Sequence, residues 1–290
     1  MNEIIKNKIE RPENKWTEDL LWQAERAADL GRRLCHCEGK YHTLWSALRA
    51  SGFLGSLHSE EDSLAAALSP IVRNGRRFLI GGSADPATLC AVGRISKNDE
   101  PDITIVDRCR APLALINEFA EKQDISCKTI HANLLEFDVE DKWDVIFLNY
   151  TLSFIEPNSR RTFFGRLASL LPTGGHLVCL AKTGIRAERG RRDDLISAWL
   201  KQARKALLKS GLEKYFEPFE LEAAIKQYAE ERTTRRFNII SSEEIKELLL
   251  GEGLNVSSVN ATRRKWVLDG ISGDKADAES SVIVIAIKNA

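Results

Sequence analysis

From residue 78 onward, short apolar runs alternate with stretches whose apolar residues recur at helical spacing. The runs stop at glycine, aspartate or asparagine, which is typical of buried strands bounded by turns. Strands are predicted at residues 77–80, 103–106, 127–131, 143–148 and 176–181. Because helical stretches separate these runs, the pattern predicts an α/β fold in which a doubly wound parallel sheet carries helices on both faces.

The end of the chain has a different pattern. Residues 254–259 and 281–288 have strand character, and the segment between them, 269–279, is rich in Gly, Asp, Ser and Ala. Two strands joined without a crossover helix pair in antiparallel fashion. We therefore expect an antiparallel hairpin at the carboxy-terminal edge of the sheet.

Residues 1–70 precede the first strand and have helical spacing from residue 16 onward. No Pro/Gly/Ser-rich linker separates them from residues 71–290. We therefore expect residues 1–70 to form a helical cap that packs over the ligand-binding site of residues 71–290. A further helical segment, residues 184–236, interrupts the strand pattern and is predicted to form a substrate lid. In the cap, the stripe of Tyr41, Trp45 and Leu48 predicts a packed face, and coverage of a ligand by Tyr41 is the alternative.

A glycine pair ends the first predicted strand. The run at residues 77–80 stops at Gly81 and Gly82, and a helical pattern begins beyond Ser83 and Asp85. Glycine lets the backbone turn sharply and approach a ligand, while the free N–H groups of the next helix favour polar or anionic groups. The turn therefore predicts a site for a nucleotide-like cofactor, and an ordinary tight turn is the alternative.

A carboxylate ends the second predicted strand. Asp107 follows the run 103–106, at the carboxyl end that lies beside the glycine turn in a parallel sheet. An acidic side chain at this place accepts both hydroxyl protons of a cofactor ribose, because a carboxylate has two acceptor oxygens. Capping of the next helix, residues 111–122, is the alternative role.

Charge and hydropathy narrow the classes of partner. The 42 Lys and Arg residues balance 42 Asp and Glu residues, so the chain lacks the net positive charge that attracts a phosphate backbone. The longest apolar runs, such as residues 282–287, are too short to span a bilayer, and residues 1–15 are polar and charged. We expect a cytoplasmic protein whose partners include neither nucleic acid nor a membrane.

The six cysteines suggest reduced thiols rather than a disulfide framework. Several lie inside apolar strand or helix patterns, as core thiols do. Cys35 and Cys37 flank His36 and suggest a metal, but the sequence shows no second Cys/His pair that would complete a tetrahedral site. We therefore expect no metal.

Taken together, these motifs resemble those of the class I S-adenosylmethionine-dependent methyltransferases. Residues 78–85 are similar to the family's glycine-rich first motif, and Asp107 is similar to its ribose-binding acid. Asn133, after the third strand, is similar to the polar residue that contacts the adenine amino group. Residues 144–150 and 170–178 are similar to the fourth motif and to the turn that precedes the fifth strand.

The resemblance covers residues 70–290 and implies a Rossmann-like seven-stranded sheet whose last strand runs antiparallel to the others. It implies S-adenosyl-L-methionine as the cofactor, and with the neutral charge it predicts a small molecule or short peptide as the acceptor. Asn149 and Tyr150, at the end of the fourth strand, are the candidates for positioning the acceptor. The expected cofactor-binding residues are Tyr41, Gly81, Gly82, Ser83, Asp85, Asp107, Arg108, Asn133, Leu134 and Asn149.

Departures from the family's pattern leave other functions open. Ser83 and Asp85 stand where the first motif usually has further glycines. The run that begins with Asn149 and Tyr150 is similar to an Asn-Pro-Pro-Tyr motif but contains neither of its prolines. An NAD(P)-dependent oxidoreductase is one alternative, although Asp107 lies 26 residues beyond Gly81 and the usual separation is about 20. A catalytically silent cofactor-binding subunit is another. The sequence leaves open the acceptor atom (O, N or C), the use of a general base and a homodimeric state.

Overall fold

A computed structural model describes residues 15–37, 41–54, 57–72, 76–96, 101–183, 192–217, 219, 221–223, 225–226, 240–262 and 280–289. Its centre is a seven-stranded sheet in the order β3-β2-β1-β4-β5-β7-β6. The strands are β1 (Arg77–Gly81), β2 (Asp102–Asp107), β3 (Lys128–His131), β4 (Val145–Asn149), β5 (His176–Thr183), β6 (Leu254–Thr262) and β7 (Ser280–Lys288).

Strands β1 to β5 pair in parallel, whereas β7 runs antiparallel to both β5 and β6. The predicted α/β class, the seven strands and the antiparallel carboxy-terminal hairpin are confirmed. Strand β7 lies inside the sheet and β6 forms its edge.

The helices form where the sequence has helical spacing, and polar caps define some of their ends. Asp19 accepts a hydrogen bond from the N–H of Trp22 at 3.1 Å, and the Ser241 side chain accepts one from the N–H of Glu244 at 3.0 Å. The helices are α1 (Leu20–Leu34), α2 (Tyr41–Ala50), α3 (Glu61–Leu68), α4 (Ala87–Ser96), α5 (Arg110–Gln123), α6 (Arg160–Ser169), α7 (Arg192–Ser210) and α8 (Ser242–Gly251).

The inner strands of the sheet, β1, β2, β4, β5 and β7, are buried on both faces, as expected of strands that are apolar at consecutive positions. Phe78 and Ile80 of β1 belong to one core with Leu89 of α4, while Leu79 belongs to the opposite core with Phe163 of α6. This alternation follows from the two-residue period of a strand. It leaves the polar ends of the strands as the places where a site can form.

The fourth strand begins two residues later than predicted. The Trp143 N–H donates to the Leu170 carbonyl at 3.0 Å rather than to a neighbouring strand, and the Asp144 carboxylate accepts from the Arg77 N–H at 3.0 Å. Trp143 therefore lies outside the strand ladder, whereas the Asp144 carbonyl still accepts from the His176 N–H of β5 at 2.8 Å.

The amino-terminal helices share cores with the rest of the molecule. Trp16 and Leu64 belong to the same buried cluster as Phe78 of β1. Helices α1 and α2 form a further core with α7, where the rings of Phe53 and Trp199 meet edge to face with centroids 4.6 Å apart. Residues 184–191, 218, 220, 224 and 227–236 of the predicted lid lie outside the described residues. Within the described part of the chain, no helix is long and apolar enough to cross a membrane.

Candidate functional site

Gly81, the last residue of β1, and Gly82, the first residue of the turn, are packed so closely that an added Cβ would clash at either position. Gly82 has φ +78°, and a Cβ placed on it would lie 2.9 Å from Thr151 Oγ1. A Cβ on Gly81 would lie 2.7 Å from a methyl carbon of Leu148. Thr151 Oγ1 donates to the Gly81 carbonyl at 2.5 Å, and the Gly82 N–H donates to the Val106 carbonyl at 2.8 Å. The turn is therefore held against the ends of β2 and β4.

Asp107 closes the neighbouring strand end and faces this turn. Its Oδ2 accepts a hydrogen bond from the Ser83 N–H at 3.0 Å, and its Oδ1 accepts one from the Cys109 N–H at 2.7 Å. Burial raises the pKa of Asp107, and the nearby His42 and the two backbone donors lower it by less. Each carboxylate oxygen retains acceptor capacity beyond its backbone hydrogen bond, so two ribose hydroxyls can still be bound.

Asp85, also in the turn, is joined to the amino-terminal helix α2. Its Oδ2 accepts from the buried Arg49 guanidinium and from Trp45 Nε1, the latter at 2.7 Å, and its Oδ1 accepts from the Ala87 N–H at 2.9 Å. Arg49 also donates to Glu18 at 2.6 Å. Both oxygens of Asp85 are thus engaged within the protein. The geometry fits an anchoring role, and its predicted contact with the cofactor stays a prediction.

The end of β4 brings Asn149 and Tyr150 to the same place. Asn149 Nδ2 donates to Thr88 Oγ1 at 3.0 Å, whereas its buried Oδ1 has no hydrogen-bond partner among the described residues. Tyr150 has φ +57°, a conformation that costs a non-glycine residue on the order of 1 kcal/mol. Its hydroxyl donates to Glu60 Oε1 at 2.6 Å and shares a hydrogen bond with Ser281 Oγ at 2.9 Å. Strained, well-held residues of this kind cluster at functional sites.

A third group of predicted residues follows β3. Asn133 Oδ1 accepts from the Leu135 N–H at 3.2 Å, and its Nδ2 donates to Glu136 at 3.2 Å, so its side chain closes a local turn. Leu134 is buried against the glycine turn, in contact distance of a Cβ placed on Gly81. The predicted adenine contact of Asn133 stays a prediction.

One cavity of about 1000 Å³ joins these groups. Gly81 lies beneath its surface, and Tyr41 begins α2 with a side chain outside the described part of the structure. The other predicted cofactor residues all line it, and they are Gly82, Ser83, Asp85, Asp107, Arg108, Asn133, Leu134 and Asn149. The fold therefore brings together residues that the sequence spreads over about 70 positions. Their contacts with a cofactor remain predictions.

Sequence reasoning predicted a cap over the site but missed three of the cap residues that line this cavity. Trp45, Arg49 and Glu60 line it. Trp45 and Arg49 donate to Asp85 in the glycine turn, and Glu60 accepts from Tyr150 at the end of β4. The sequence contains one usable signal, the charged Arg49 directly after the apolar Ala47 and Leu48 of α2, and all three residues are buried. A charge at such a position implies a buried partner.

The chain matches no protein-family model and no curated protein. Solved structures match its fold. Magnesium protoporphyrin IX methyltransferase from Synechocystis PCC 6803, with bound S-adenosylhomocysteine, superposes with a TM-score of 0.51 at 14% identity, covering 80% of this chain and 84% of that one. The N-methyltransferase NodS from Bradyrhizobium japonicum WM9 gives a TM-score of 0.50 at 12% identity, covering 81% and 97%.

The mitomycin 7-O-methyltransferase MmcR gives a TM-score of 0.53 at 12% identity and covers 92% of this chain and 60% of that one. The fold is therefore that of the class I methyltransferases. Identities this low show the fold alone, so the chemistry must be inferred from the cavity.

Proposed function

We propose that this chain is an S-adenosyl-L-methionine-dependent methyltransferase that acts on a small molecule or short peptide. The observation that carries the proposal is the pairing of Asp107 with the glycine turn. A carboxylate is held across from the Ser83 N–H at the edge of a cavity large enough for a nucleoside and a second ligand.

The residues present fit this cofactor. Asp107 offers two acceptor oxygens for the ribose hydroxyls, and Asn133 and Leu134 line the side where the adenine is expected. Asn149 Oδ1 is a buried acceptor with no donor among the described residues, and the ammonium of an amino acid moiety would supply one. The S-adenosylhomocysteine bound to the Synechocystis enzyme supports the same assignment.

The chain's own residues supply alignment and exclusion of water. S-adenosylmethionine provides a methyl group already activated by its sulfonium, which a nucleophile displaces in line. Asn149 and Tyr150 position the acceptor at the end of β4, and Trp45 and Phe154 cover the cavity from two sides. The acceptor atom is not assigned, because the cavity presents amide, hydroxyl and carboxylate groups alike.

Two alternatives differ in observable ways. Nicotinamide-dependent Rossmann sheets have the order 3-2-1-4-5-6, whereas here the antiparallel β7 lies between β5 and β6. This order disfavours an oxidoreductase. A catalytically silent subunit would bind the cofactor with the same residues but would release no S-adenosylhomocysteine in the presence of any acceptor.

Calorimetric titration with S-adenosylhomocysteine, NAD and NADP tests the proposal. We expect only the first to bind, and Asp107→Ala to weaken its binding at least about tenfold, since hydrogen bonds to charged groups contribute about 1.5–3 kcal/mol. Asp102→Ala is the matched control, because Asp102 is an exposed carboxylate at the opposite end of the same strand. Tight binding by Asp107→Ala, or binding of NAD alone, would contradict the assignment. Release of S-adenosylhomocysteine with pooled small-molecule extracts then separates an enzyme from a silent subunit.

A further inference from the structure

Four metal-binding side chains meet beside the candidate cofactor site. Cys35 follows α1, Cys37 lies in the next turn, His42 is in the first turn of α2, and Cys109 stands between β2 and α5. The sequence argued against a metal because no second Cys/His pair follows Cys35 and Cys37. The fold supplies the missing pair from two places, one of them more than 70 residues away.

The geometry of the four donor atoms fits a small tetrahedral site. All four lie within 4.8 Å of one another, and Cys35 Sγ is 3.5 Å from His42 Nδ1. Zinc bonds of about 2.3 Å to sulfur and about 2.0 Å to nitrogen place tetrahedral ligands roughly 3.5–3.8 Å apart. Small rotations of the side chains are therefore enough to bring all four donor atoms to bonding distance of one ion.

The surroundings of the cluster favour thiolate ligands. Cys35 and Cys109 are each only 4% exposed, so water is largely excluded from this side. Cys109 occupies the N-cap position of α5, where the helix dipole favours negative charge, and it is flanked by the exposed cations Arg108 and Arg110.

The other buried cysteines show what a plain core thiol looks like in this protein. Cys90 and Cys179 lie among apolar side chains of the large core clusters, and burial raises the pKa of Cys179 to about 12. Neither belongs to a group of donors that could hold a metal, among the residues described. Chance burial of thiols therefore does not account for three cysteines and a histidine that converge from separate segments.

We propose that Cys35, Cys37, His42 and Cys109 bind one zinc ion. Three sulfur ligands select a soft or borderline metal, and four protein ligands leave no open position, so the ion is structural rather than catalytic. It joins the start of the cap helix α2 to the loop after β2. Because the Cys109 N–H donates to Asp107 Oδ1, the ion also fixes the carboxylate that faces the glycine turn.

Metal analysis of the intact protein tests the site directly. The full chain is expressed with zinc, purified under reducing conditions and measured by mass spectrometry of the native protein and by elemental analysis. We expect one zinc per chain in wild type. Cys109→Ser should lower zinc affinity at least about tenfold, since even loss of an outer partner of a ligand typically costs 10–100-fold. Cys127→Ser is the matched control, because Cys127 is a half-buried thiol outside the cluster.

Cobalt substitution gives a readout that does not depend on a variant folding. Wild-type protein reconstituted with Co²⁺ is expected to show the visible bands of tetrahedral cobalt and a near-ultraviolet thiolate charge-transfer band. Wild type that binds neither zinc nor cobalt would overturn the proposal, as would equal zinc affinity of Cys109→Ser and wild type in competition with a chelator. A disulfide between cluster thiols in protein purified with reductant would overturn it as well. The outcome is separate from methyl transfer, since zinc content is measured without cofactor or acceptor.

Discussion

At the scale of single residues, the site contains two residues with positive φ that lie close together. Gly82 has φ +78° and Tyr150 has φ +57°, and Thr151, the next residue after Tyr150, contacts the Gly82 position. A positive φ costs glycine little, but at Tyr150 it persists only because surrounding contacts hold it. The contacts here are hydrogen bonds to strand ends, so the strain is located where a ligand would be aligned.

We expect Gly82→Ala to weaken cofactor binding at least about tenfold and to destabilise the fold by about 1–3 kcal/mol, through backbone strain and a clash with Thr151. Gly174→Ala is the matched control, since Gly174 has φ +75° but nothing lies within 4 Å of an added Cβ. Chemical denaturation measures the stability of both variants, and calorimetry measures their cofactor affinity. Backbone strain affects both variants, whereas the clash with Thr151 affects only Gly82→Ala. Equal losses of affinity in the two variants would show that the turn is not a binding element.

Tyr150→Phe tests the hydroxyl that reaches Glu60. Glu60 is 1% exposed, and its Oε1 also accepts from Thr262 Oγ1 at 3.0 Å. Removing one donor from a buried carboxylate is expected to cost about 1–3 kcal/mol of unfolding free energy. Tyr215→Phe, which removes a hydroxyl at a longer and exposed contact with Glu25, should change stability by less than about 0.5 kcal/mol. Urea denaturation of the two variants checks the difference.

At the scale of elements, the cap helix α2 and the glycine turn are joined by a buried ion pair. The side chains of Arg49 and Asp85 are 3% and 5% exposed. Burial lowers the pKa of Arg49, but the carboxylates of Asp85 and Glu18 outweigh that effect, and the net shift is upward. Helix α2 therefore holds the glycine turn in place through the Arg49 guanidinium, which stays protonated.

Arg49→Ala is expected to destabilise the protein by about 3–5 kcal/mol, because it leaves the Asp85 charge buried without its partner. Arg33→Ala is the matched control: Arg33 pairs with Asp29 on the surface of α1, where such a pair contributes about 0–1 kcal/mol. Thermal and urea unfolding measure both. If Arg49→Ala together with Asp85→Ala costs as much as the sum of the single changes, the pair is not coupled.

At the scale of the whole molecule, we propose that the cap and the sheet unfold as one unit. Trp16 is 8% exposed and packs so closely on α4 that a Cβ on Gly93 would lie 2.1 Å from its ring. Leu57 and Leu68 of the cap belong to the same core as Phe78. The amino-terminal segment thus completes one face of the sheet.

Trp16→Ala should cost about 3–5 kcal/mol and should leave a single unfolding transition, since it opens a cavity in the shared core. Leu21→Ala is the control. Leu21 of α1 is 59% exposed, so its replacement should change the free energy of unfolding very little. Circular dichroism and tryptophan fluorescence, recorded during the same thermal unfolding, should show one coincident transition. Separate melting of the cap in either variant would show that it is an independent domain.

The sequence by itself determined the parallel strands, the carboxy-terminal hairpin, the glycine turn and the acid at the end of β2. These features depend on local periodicity and on the rule that ligands lie at the carboxyl ends of parallel strands. The observed strand limits differ from the predicted ones where a residue such as Trp143 forms its hydrogen bond outside the ladder.

Only the tertiary structure decided which distant side chains meet at these strand ends. Arg49 reaches Asp85, Glu60 reaches Tyr150, and Cys109 joins Cys35 in one cluster. None of these pairs has a spacing that periodicity can detect, because their separation along the chain is set by the loops and helices between them. They meet because packing of the cap on the sheet closes those long loops, and the apolar area buried there drives that packing.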